Sequence, residues 1–152
     1  MIKKIKYLLP IYRTLAGSGT RKTLNFFEKS NSNFKRLKFK TNQRVFDWKI
    51  PHEWEIEDSY IQHLKTKKKY AEFKKDNLHI VSYSKKMNKV ISLNNLKKKI
   101  YTNSNYKKSV PYVTSYYKKD WGFCMSDNEK KKLPKGNYRV VIKSSFKKGF
   151  ME

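Results

Sequence analysis

The sequence is poor in cysteine, glycine and proline. Its 152 residues include one cysteine, five glycines and four prolines. Because Cys124 has no second cysteine to pair with, an internal disulfide is excluded, and the chain suits a reducing compartment. We therefore expect a cytoplasmic protein.

Long hydrophobic runs are also absent. No segment approaches the roughly 18 apolar residues that a membrane helix needs. The amino terminus resembles a signal peptide, since basic residues precede an apolar run at 7–11. That run is short, contains Pro10 and is followed by Arg13. We therefore predict neither a membrane span nor a membrane partner.

Acidic residues are few, and so are arginines. The chain has 37 basic and 12 acidic residues, a net charge of +25, but only five of the basic residues are arginine. A charge this high suggests a nucleic-acid or membrane partner. Arginine, however, is the usual residue for bidentate phosphate and base contacts, whereas lysine is a point charge. Asn, Ile, Tyr and Phe are plentiful and alanine occurs twice, as A/T-rich codons favour. A lysine-rich surface that reflects such codon usage is therefore the favoured interpretation, and a small nucleic-acid-binding protein is the alternative.

Aromatic residues, by contrast, are abundant. They make up 15% of the chain, within an apolar fraction of 38%. This composition argues against a disordered chain in spite of the charge. A chain of this length is expected to form one domain, or one domain and a fragment of another.

The first 30 residues show helical periodicity. Apolar residues at helical spacing predict a first amphipathic helix: Ile2, Ile5, Leu8, Tyr12 and Leu15. A glycine-containing break at 17–19 follows. A second helix, capped by Thr20, is predicted to turn Leu24 and Phe27 inward.

The rest of the chain favours strands. Alternation of apolar and polar residues predicts strands at 34–40, 45–50, 54–57, 78–83, 110–117, 122–125 and 138–144, and short helices at 93–100 and 127–133. One shared core is predicted for the inward positions Trp54, Ile56, Ile80, Val113, Tyr138, Val140 and Ile142. The predicted fold class is α+β, with two amino-terminal helices and a mostly antiparallel β-rich module that carries short helices.

Candidate chemical groups are scattered along the chain. Gly17-Ser18-Gly19 has no preceding strand and no lysine–serine ending, so a helix-breaking turn is favoured over a phosphate loop. The three histidines, His52, His63 and His79, lack metal-ligand spacing, and Cys124 lies among apolar residues and is interpreted as core. We therefore assign no catalytic, cofactor-binding or metal-ligating residue.

Two further patterns remain open. Glu53, Glu55 and Glu57 lie on one face of a predicted strand, where alternating carboxylates could hold a hard cation weakly. Aromatic and lysine residues are interleaved at 116–119 and 146–148, a pattern that suits base stacking but also arises where strands end in charged turns.

Several runs together resemble one bacterial family, the aminopeptidase-like proteins. In these proteins a catalytic domain related to the di-zinc aminopeptidases is interrupted by an inserted domain of unassigned function. The opening of that family is similar to residues 10–24, its next signature to 45–54, and strands of its insert to 78–84, 110–117 and 121–126.

The resemblance implies a domain organisation. Residues 1–43 correspond to an amino-terminal piece of an incomplete catalytic domain, 44–149 to the inserted β-rich domain, and 150–152 to a tail. In the family, the zinc ligands and the general-base carboxylate come from later strands, after the insert closes. None of them matches a residue here, so the resemblance implies a truncated aminopeptidase-like protein, inactive alone and without zinc of its own.

The expected partners follow from the same resemblance. They are a missing carboxy-terminal peptidase half or a second copy of the chain. Weak non-specific binding of nucleic acid is expected from the charge. One half of a split peptidase, completed by a second chain, is a further alternative.

Overall fold

The computed structural model describes residues 2–152 and divides the chain into two units. The first unit comprises the chain up to Glu55 together with Ser145–Glu152, and the second comprises Ile56–Ser144. Residues 44–55 and 145–149, which the sequence pattern assigned to the β-rich module, lie in the first unit by this division.

Two helices open the first unit, α1 (Ile2–Leu8) and α2 (Ser18–Ser30). The first helix is shorter than its apolar pattern predicted, because Pro10 has no N–H for the helical ladder and disfavours helical backbone in the residue before it. Arg13 donates from Nη1 to the carbonyl of Leu8 at 2.7 Å and satisfies one of the last carbonyls of α1.

The strands that lie wholly in the first unit are short. They are β1 (Phe39–Lys40), β2 (Arg44–Val45), β3 (Trp48–Lys49) and, at the end of the chain, Phe150–Met151. The terminal strand pairs antiparallel with β1, and β2 pairs antiparallel with β3. The predicted continuous strand at 45–50 is therefore wrong, because the chain reverses in a tight hairpin where Phe46 has a φ of 52°. Of the strand predicted at 34–40, only the last two residues are extended in a sheet.

Two strands of eleven residues each, β4 (Glu53–His63) and a later strand at Asn137–Lys147, form the centre of a four-stranded sheet. Its outer strands are β5 (Lys69–Tyr70) beside β4 and β6 (Met87–Ser92) beside the later strand, each paired antiparallel. The other elements of the second unit are α3 (Leu93–Lys97), β7 (Ile100–Tyr101), β8 (Phe123–Cys124) and α4 (Asp127–Lys131). In chain order, the central strand Asn137–Lys147 is β9 and the terminal strand Phe150–Met151 is β10. The strands β7 and β8 pair in parallel.

The α+β fold class is confirmed, and so are the strands predicted within β4 and β9 and the two short helices, α3 and α4. Within the second unit, the side chains of Ile80, Tyr138, Val140 and Ile142 are buried as predicted, whereas Val113 is half-buried. Of the two predicted core residues near the start of β4, Trp54 is buried and Ile56 is half-buried.

Two predicted strands of the second unit are wrong. The segment 78–83 begins within a 3-10 helix (Asn77–His79) and then makes one isolated bridge from Ile80 to Phe123 and another from Ser82 to Thr114. The segment 110–117 forms no strand, and Thr114 takes part in the isolated bridge to Ser82. In the first run Ile80, Val81 and Tyr83 are buried, because burial does not require a ladder of strand hydrogen bonds, whereas no residue of 110–117 is fully buried. Strand β6 was not predicted, because four of its six residues are exposed and the other two are half-buried.

Among the described residues, no helix combines the length and the apolar character needed to cross a bilayer.

Candidate docking surface and its ion-pair cluster

A cluster of ion pairs holds α2 in place within the first unit. We define it as five residues that pair through arginine: Arg21, Glu28, Arg36, Glu53 and Glu152. Two exposed lysines lie at its edge, Lys38 3.8 Å from Glu152 and Lys147 3.6 Å from Glu53. The side chains of Glu53 and Glu152 are nearly fully buried, with 3% and 4% exposed. Carboxylates that are this buried are costly unless they are paired and hydrogen-bonded, so the cluster fixes the relative placement of the segments that supply it.

The carboxylate of Glu53 is the centre of this cluster. Its Oε1 accepts a hydrogen bond from Arg21 Nη2 at 2.5 Å and another from the backbone N–H of Phe150 at 2.9 Å. Burial raises the pKa of Glu53, but the hydrogen bonds from Arg21 and Phe150 outweigh it, so that the pKa lies below the ordinary glutamate value. The pKa of Arg21 is raised, chiefly by its hydrogen bond to Glu53. Both groups therefore remain charged near neutral pH.

A second carboxylate caps the start of α2. Glu55 accepts hydrogen bonds from the backbone N–H of Ser18 at 2.8 Å and from its hydroxyl at 2.5 Å. The positive end of a helix favours an anion at this position. The glycine-containing turn at 17–19 is thus a helix start, and its anion is a side chain of the same unit. A side chain at residue 17 would approach the carbonyl oxygen of Trp54 to 2.8 Å, which explains the glycine there.

Helix α1, helix α2 and the segment after α2 together carry an aromatic ridge, which we define as Tyr7, Phe26, Phe27 and Phe34. The rings follow one another at centroid distances of 5.3 Å (Tyr7 to Phe26), 5.7 Å (Phe26 to Phe27) and 6.3 Å (Phe27 to Phe34). Tyr7, Phe27 and Phe34 are 57%, 43% and 37% exposed. Neither α1 nor α2 contains a buried residue. The prediction that Leu24 and Phe27 face inward is wrong for Phe27, which is exposed, whereas Leu24 is half-buried.

The first unit has little core beneath this ridge. Within its described residues, the buried positions are Ala16, Gly17, Ile50, Glu53 and Trp54. Amphipathic helices normally bury an apolar stripe against a neighbouring layer. A contiguous exposed aromatic surface over so small a core has the properties of a protein interface.

The histidines are spread over both units, and two of them have structural contacts in the second unit. His63 is buried, with Nδ1 2.9 Å from the Thr66 hydroxyl and Nε2 3.2 Å from the Lys135 carbonyl. His79 Nδ1 lies 2.8 Å from the carbonyl oxygen of Cys124. His52 is half-buried immediately before β4.

Cys124 is buried in the core of the second unit, as the sequence predicted. Burial raises the pKa of its thiol to about 12. The thiolate, which is the nucleophilic form, is therefore scarce at neutral pH.

The three alternating glutamates of β4 do not share one environment. Glu53 is buried, Glu55 caps α2, and Glu57 is exposed and lies 3.2 Å from Lys143. Among residues 2–152, no group of three or more His, Cys, Asp or Glu side chains is placed to hold a metal ion. The described residues therefore offer no ligand set for the zinc ions that the family's catalytic domain is expected to bind.

Sequence reasoning missed the ion-pair cluster. One signal was available, because Arg21 and Arg36 are two of only five arginines in a chain rich in lysine. Arginine is preferred where a planar, bidentate contact to a carboxylate is required. The cluster also includes Glu152, which belongs to the segment 150–152 that the sequence analysis described as a tail.

The first prediction concerns Glu53. We expect Glu53→Gln to destabilise the first unit by about 3 kcal/mol at pH 7, because it removes the buried negative charge that Arg21 and Lys147 face and leaves Glu152 as the only carboxylate bound to Arg21 among the described residues. The matched substitution Glu57→Gln in the same strand removes an exposed pair and should cost about 0.5 kcal/mol or less. Denaturant unfolding followed by tryptophan fluorescence measures both, since Trp48 and Trp54 lie in the first unit with Glu53, and Trp121 lies in the second unit with Glu57.

The cost of Glu53→Gln should also depend on pH. Because the folded pKa of Glu53 is lowered, its stabilising contribution is complete above the unfolded pKa of about 4.3 and is lost as the pH falls through the folded pKa. The difference between the wild type and Glu53→Gln should therefore shrink in acid. Equal costs for the two substitutions, or a difference that does not change with pH, would contradict this role.

This chain is similar in sequence and in fold to known proteins. The chain is 39% identical over 145 residues to a Clostridium acetobutylicum protein described as a polysaccharide biosynthesis protein with an aminopeptidase-like domain. A crystal structure from the same organism, described as that of a peptidase, superposes with a TM-score of 0.88 at 37% identity. These matches cover 95% and 97% of this chain, but only 33% and 34% of the two proteins. The chain thus spans about a third of the length of these relatives.

Most of the β-rich part of the chain also matches a family model. Residues 53–145 match the domain of unknown function DUF2172. The match begins with β4 and ends within β9, the two central strands of the four-stranded sheet. The chain belongs to the DUF2172 family, and its relatives are aminopeptidase-like proteins.

Proposed function

We propose that this chain is a non-catalytic portion of an aminopeptidase-like protein, and that its first unit docks through the aromatic ridge onto the portion that carries the catalytic residues. The observation that carries the proposal is the exposed ridge over a first unit with five buried positions among its described residues. The two relatives are about three times as long as the stretch that matches this chain, so proteins of this kind contain ample further sequence to cover the ridge.

The size of the core supports this proposal. Domains of about 60 residues bury the smallest fraction of their surface and need a well-filled core or an added staple. The first unit has few buried side chains and no disulfide, because the chain has one cysteine. A further layer packed on α1 and α2 would supply the missing apolar burial.

The ion-pair cluster would prepare this surface for docking. Arg21 lies on α2 and binds Glu53 on β4, while Ser18 at the start of the helix binds Glu55 two residues farther along the strand. The helix is therefore fixed at two points before any partner arrives. Preorganisation of this kind lowers the entropy that is lost on binding.

Under this proposal, catalysis belongs to the covering portion. Peptide hydrolysis of the di-zinc type needs a metal-activated water and a carboxylate that takes its proton. The buried carboxylates of the first unit are already occupied by Arg21 and Arg36, and the rings of His63 and His79 have hydrogen-bonding contacts in the second unit. The role proposed for the β-rich second unit is to shape access to the neighbouring active site or to mediate assembly.

The second prediction concerns self-association. Without the covering portion, the ridge should bind other copies of the chain, so sedimentation velocity should show association that increases with concentration. We expect the double substitution Phe27→Gln/Phe34→Gln to reduce this association. Phe46→Gln is the matched control, because Phe46 is 91% exposed but lies on the β2–β3 hairpin and is not part of the ridge.

Two outcomes would count against the ridge as an interface. One is a wild-type chain that stays monomeric at all concentrations. The other is an equal effect of the ridge substitutions and Phe46→Gln, which would show that general surface hydrophobicity causes the association.

The third prediction is that this chain alone neither binds zinc tightly nor hydrolyses peptides. Tight zinc binding usually requires imidazole or thiolate ligands at fixed geometry, and Cys124 is buried with a raised pKa. Calorimetric titration with zinc, together with an assay on aminoacyl substrates, tests both statements. Stoichiometric sub-micromolar binding, or turnover that a chelator abolishes, would show that the chain carries an active site. Activity that arises only after a second chain is added would favour the split peptidase.

A further inference from the structure

One long stretch of the second unit contains no acidic residue. Between Asp76 and Asp120 the sequence has ten lysines and six tyrosines but no aspartate, glutamate or arginine. Lysine is common throughout the chain, so the lysines alone do not distinguish this stretch. The stretch is distinguished by its lack of acidic residues and by its six tyrosines.

Backbone hydrogen bonds bring two parts of this stretch together. Ser82 donates to the carbonyl of Val113 at 2.9 Å, and Ser115 donates to the carbonyl of Ser82 at 2.8 Å. Farther along, Lys85 donates to the carbonyl of Asp120 at 2.9 Å. The segments 82–86 and 113–120 therefore run side by side, which brings Lys85 and Lys86 close to the turn at 116–119 and forms one local surface.

We call this the lysine–tyrosine surface and define it as Lys85, Lys86, Tyr116, Tyr117, Lys118 and Lys119. The rings of Tyr116 and Tyr117 lie 3.9 Å apart between centroids, and Tyr116 packs edge-on against Tyr83 at 5.7 Å. Tyr83 is buried, so the ring pair is supported from below. Tyr117 itself is 81% exposed.

The four lysines of this surface outnumber the acids beside them. All four are exposed, and within residues 2–152 none forms an ion pair within 4.0 Å. The neighbouring carboxylate of Asp120 interacts electrostatically with Lys85, but both of its oxygens are bound by Lys99, at 2.6 and 2.7 Å. The surface therefore combines an excess of positive charge with an exposed aromatic ring.

We propose that the lysine–tyrosine surface binds single-stranded nucleic acid without sequence preference. Lysines supply charge for the phosphates, and an exposed ring on which a base can stack supplies the contact that a plain polyanion would not use. The stretch contains no arginine to read base edges through a bidentate contact, which fits binding without sequence preference. The proposal concerns the second unit and does not depend on docking by the aromatic ridge.

Fluorescence anisotropy with the full chain tests this proposal. The probes are a labelled oligothymidylate and an abasic strand with the same number of phosphates. Because stacking of one base on an aromatic ring contributes about 1–3 kcal/mol, Tyr117→Ala should weaken oligothymidylate binding by about five- to a hundredfold. The same substitution should leave binding of the abasic strand nearly unchanged. Tyr106→Ala is the matched control, since Tyr106 is a 67% exposed tyrosine of the same unit outside the defined surface.

The lysines are tested by salt dependence. Each phosphate contact on a single strand contributes about 0.7 to the slope of log K against log salt, so replacing Lys85, Lys86, Lys118 and Lys119 by glutamine should lower the slope by about 3. The matched control replaces four exposed lysines of the first unit, Lys3, Lys4, Lys22 and Lys29, and removes the same net charge. Circular dichroism verifies that both variants remain folded.

Three results would overturn the proposal. Equal losses for the two lysine variants would mean that binding follows net charge alone. Equal affinity for the oligothymidylate and the abasic strand would exclude base stacking. Tighter binding of a polyuronate, with the same dependence on Tyr117, would identify an anionic polysaccharide as the ligand instead.

Discussion

The buried carboxylate of Glu53 is the constraint on which the first unit depends. It receives hydrogen bonds from Arg21 on α2 and from the backbone of Phe150, so one side chain joins a helix, a long strand and the end of the chain. Gly149 is part of the same arrangement, because any side chain there would overlap the Glu53 carboxylate. A unit with few buried apolar residues thus obtains its order from electrostatics, since an unpaired buried charge would be more costly than the ordering of the partners that neutralise it.

The positions of the arginines also reflect specific contacts in the structure. In a chain whose basic residues are mostly lysine, four of the five arginines occupy positions where the geometry of the guanidinium matters as well as its charge, and the fifth, Arg139, is exposed. Arg21 and Arg36 bind buried carboxylates, and Arg13 and Arg44 donate to backbone carbonyls at a helix end and in a hairpin. The lysines, by contrast, are largely solvated. Arginine positions in such compositions are therefore more informative about structure than the net charge is.

The sequence predicted those elements in which local pattern and tertiary packing agree. Strand β9 alternates so that Tyr138, Val140 and Ile142 face the core, and α4 has a capping box in which Ser126 and Glu129 bond reciprocally. Prediction failed at 78–83 and 110–117, where the backbone is irregular although apolar residues are frequent. The ion-pair cluster was also beyond sequence reasoning, because its members are separated by up to 131 residues. Neither periodicity nor spacing reveals partners at that separation.

The division of the chain inside β4 and β9 has a consequence for how this fold can be rearranged. Domain boundaries usually fall in exposed linkers, where a cut removes few contacts. Here both crossings fall within eleven-residue strands, and the residues just before the first crossing, Glu53 and Glu55, bind α2. Recombination at these crossings would sever strands, and a single inserted residue in β4 would exchange its two faces. The second unit is therefore poorly suited to transfer into an unrelated protein, and it is expected to be inherited together with the segments that flank it.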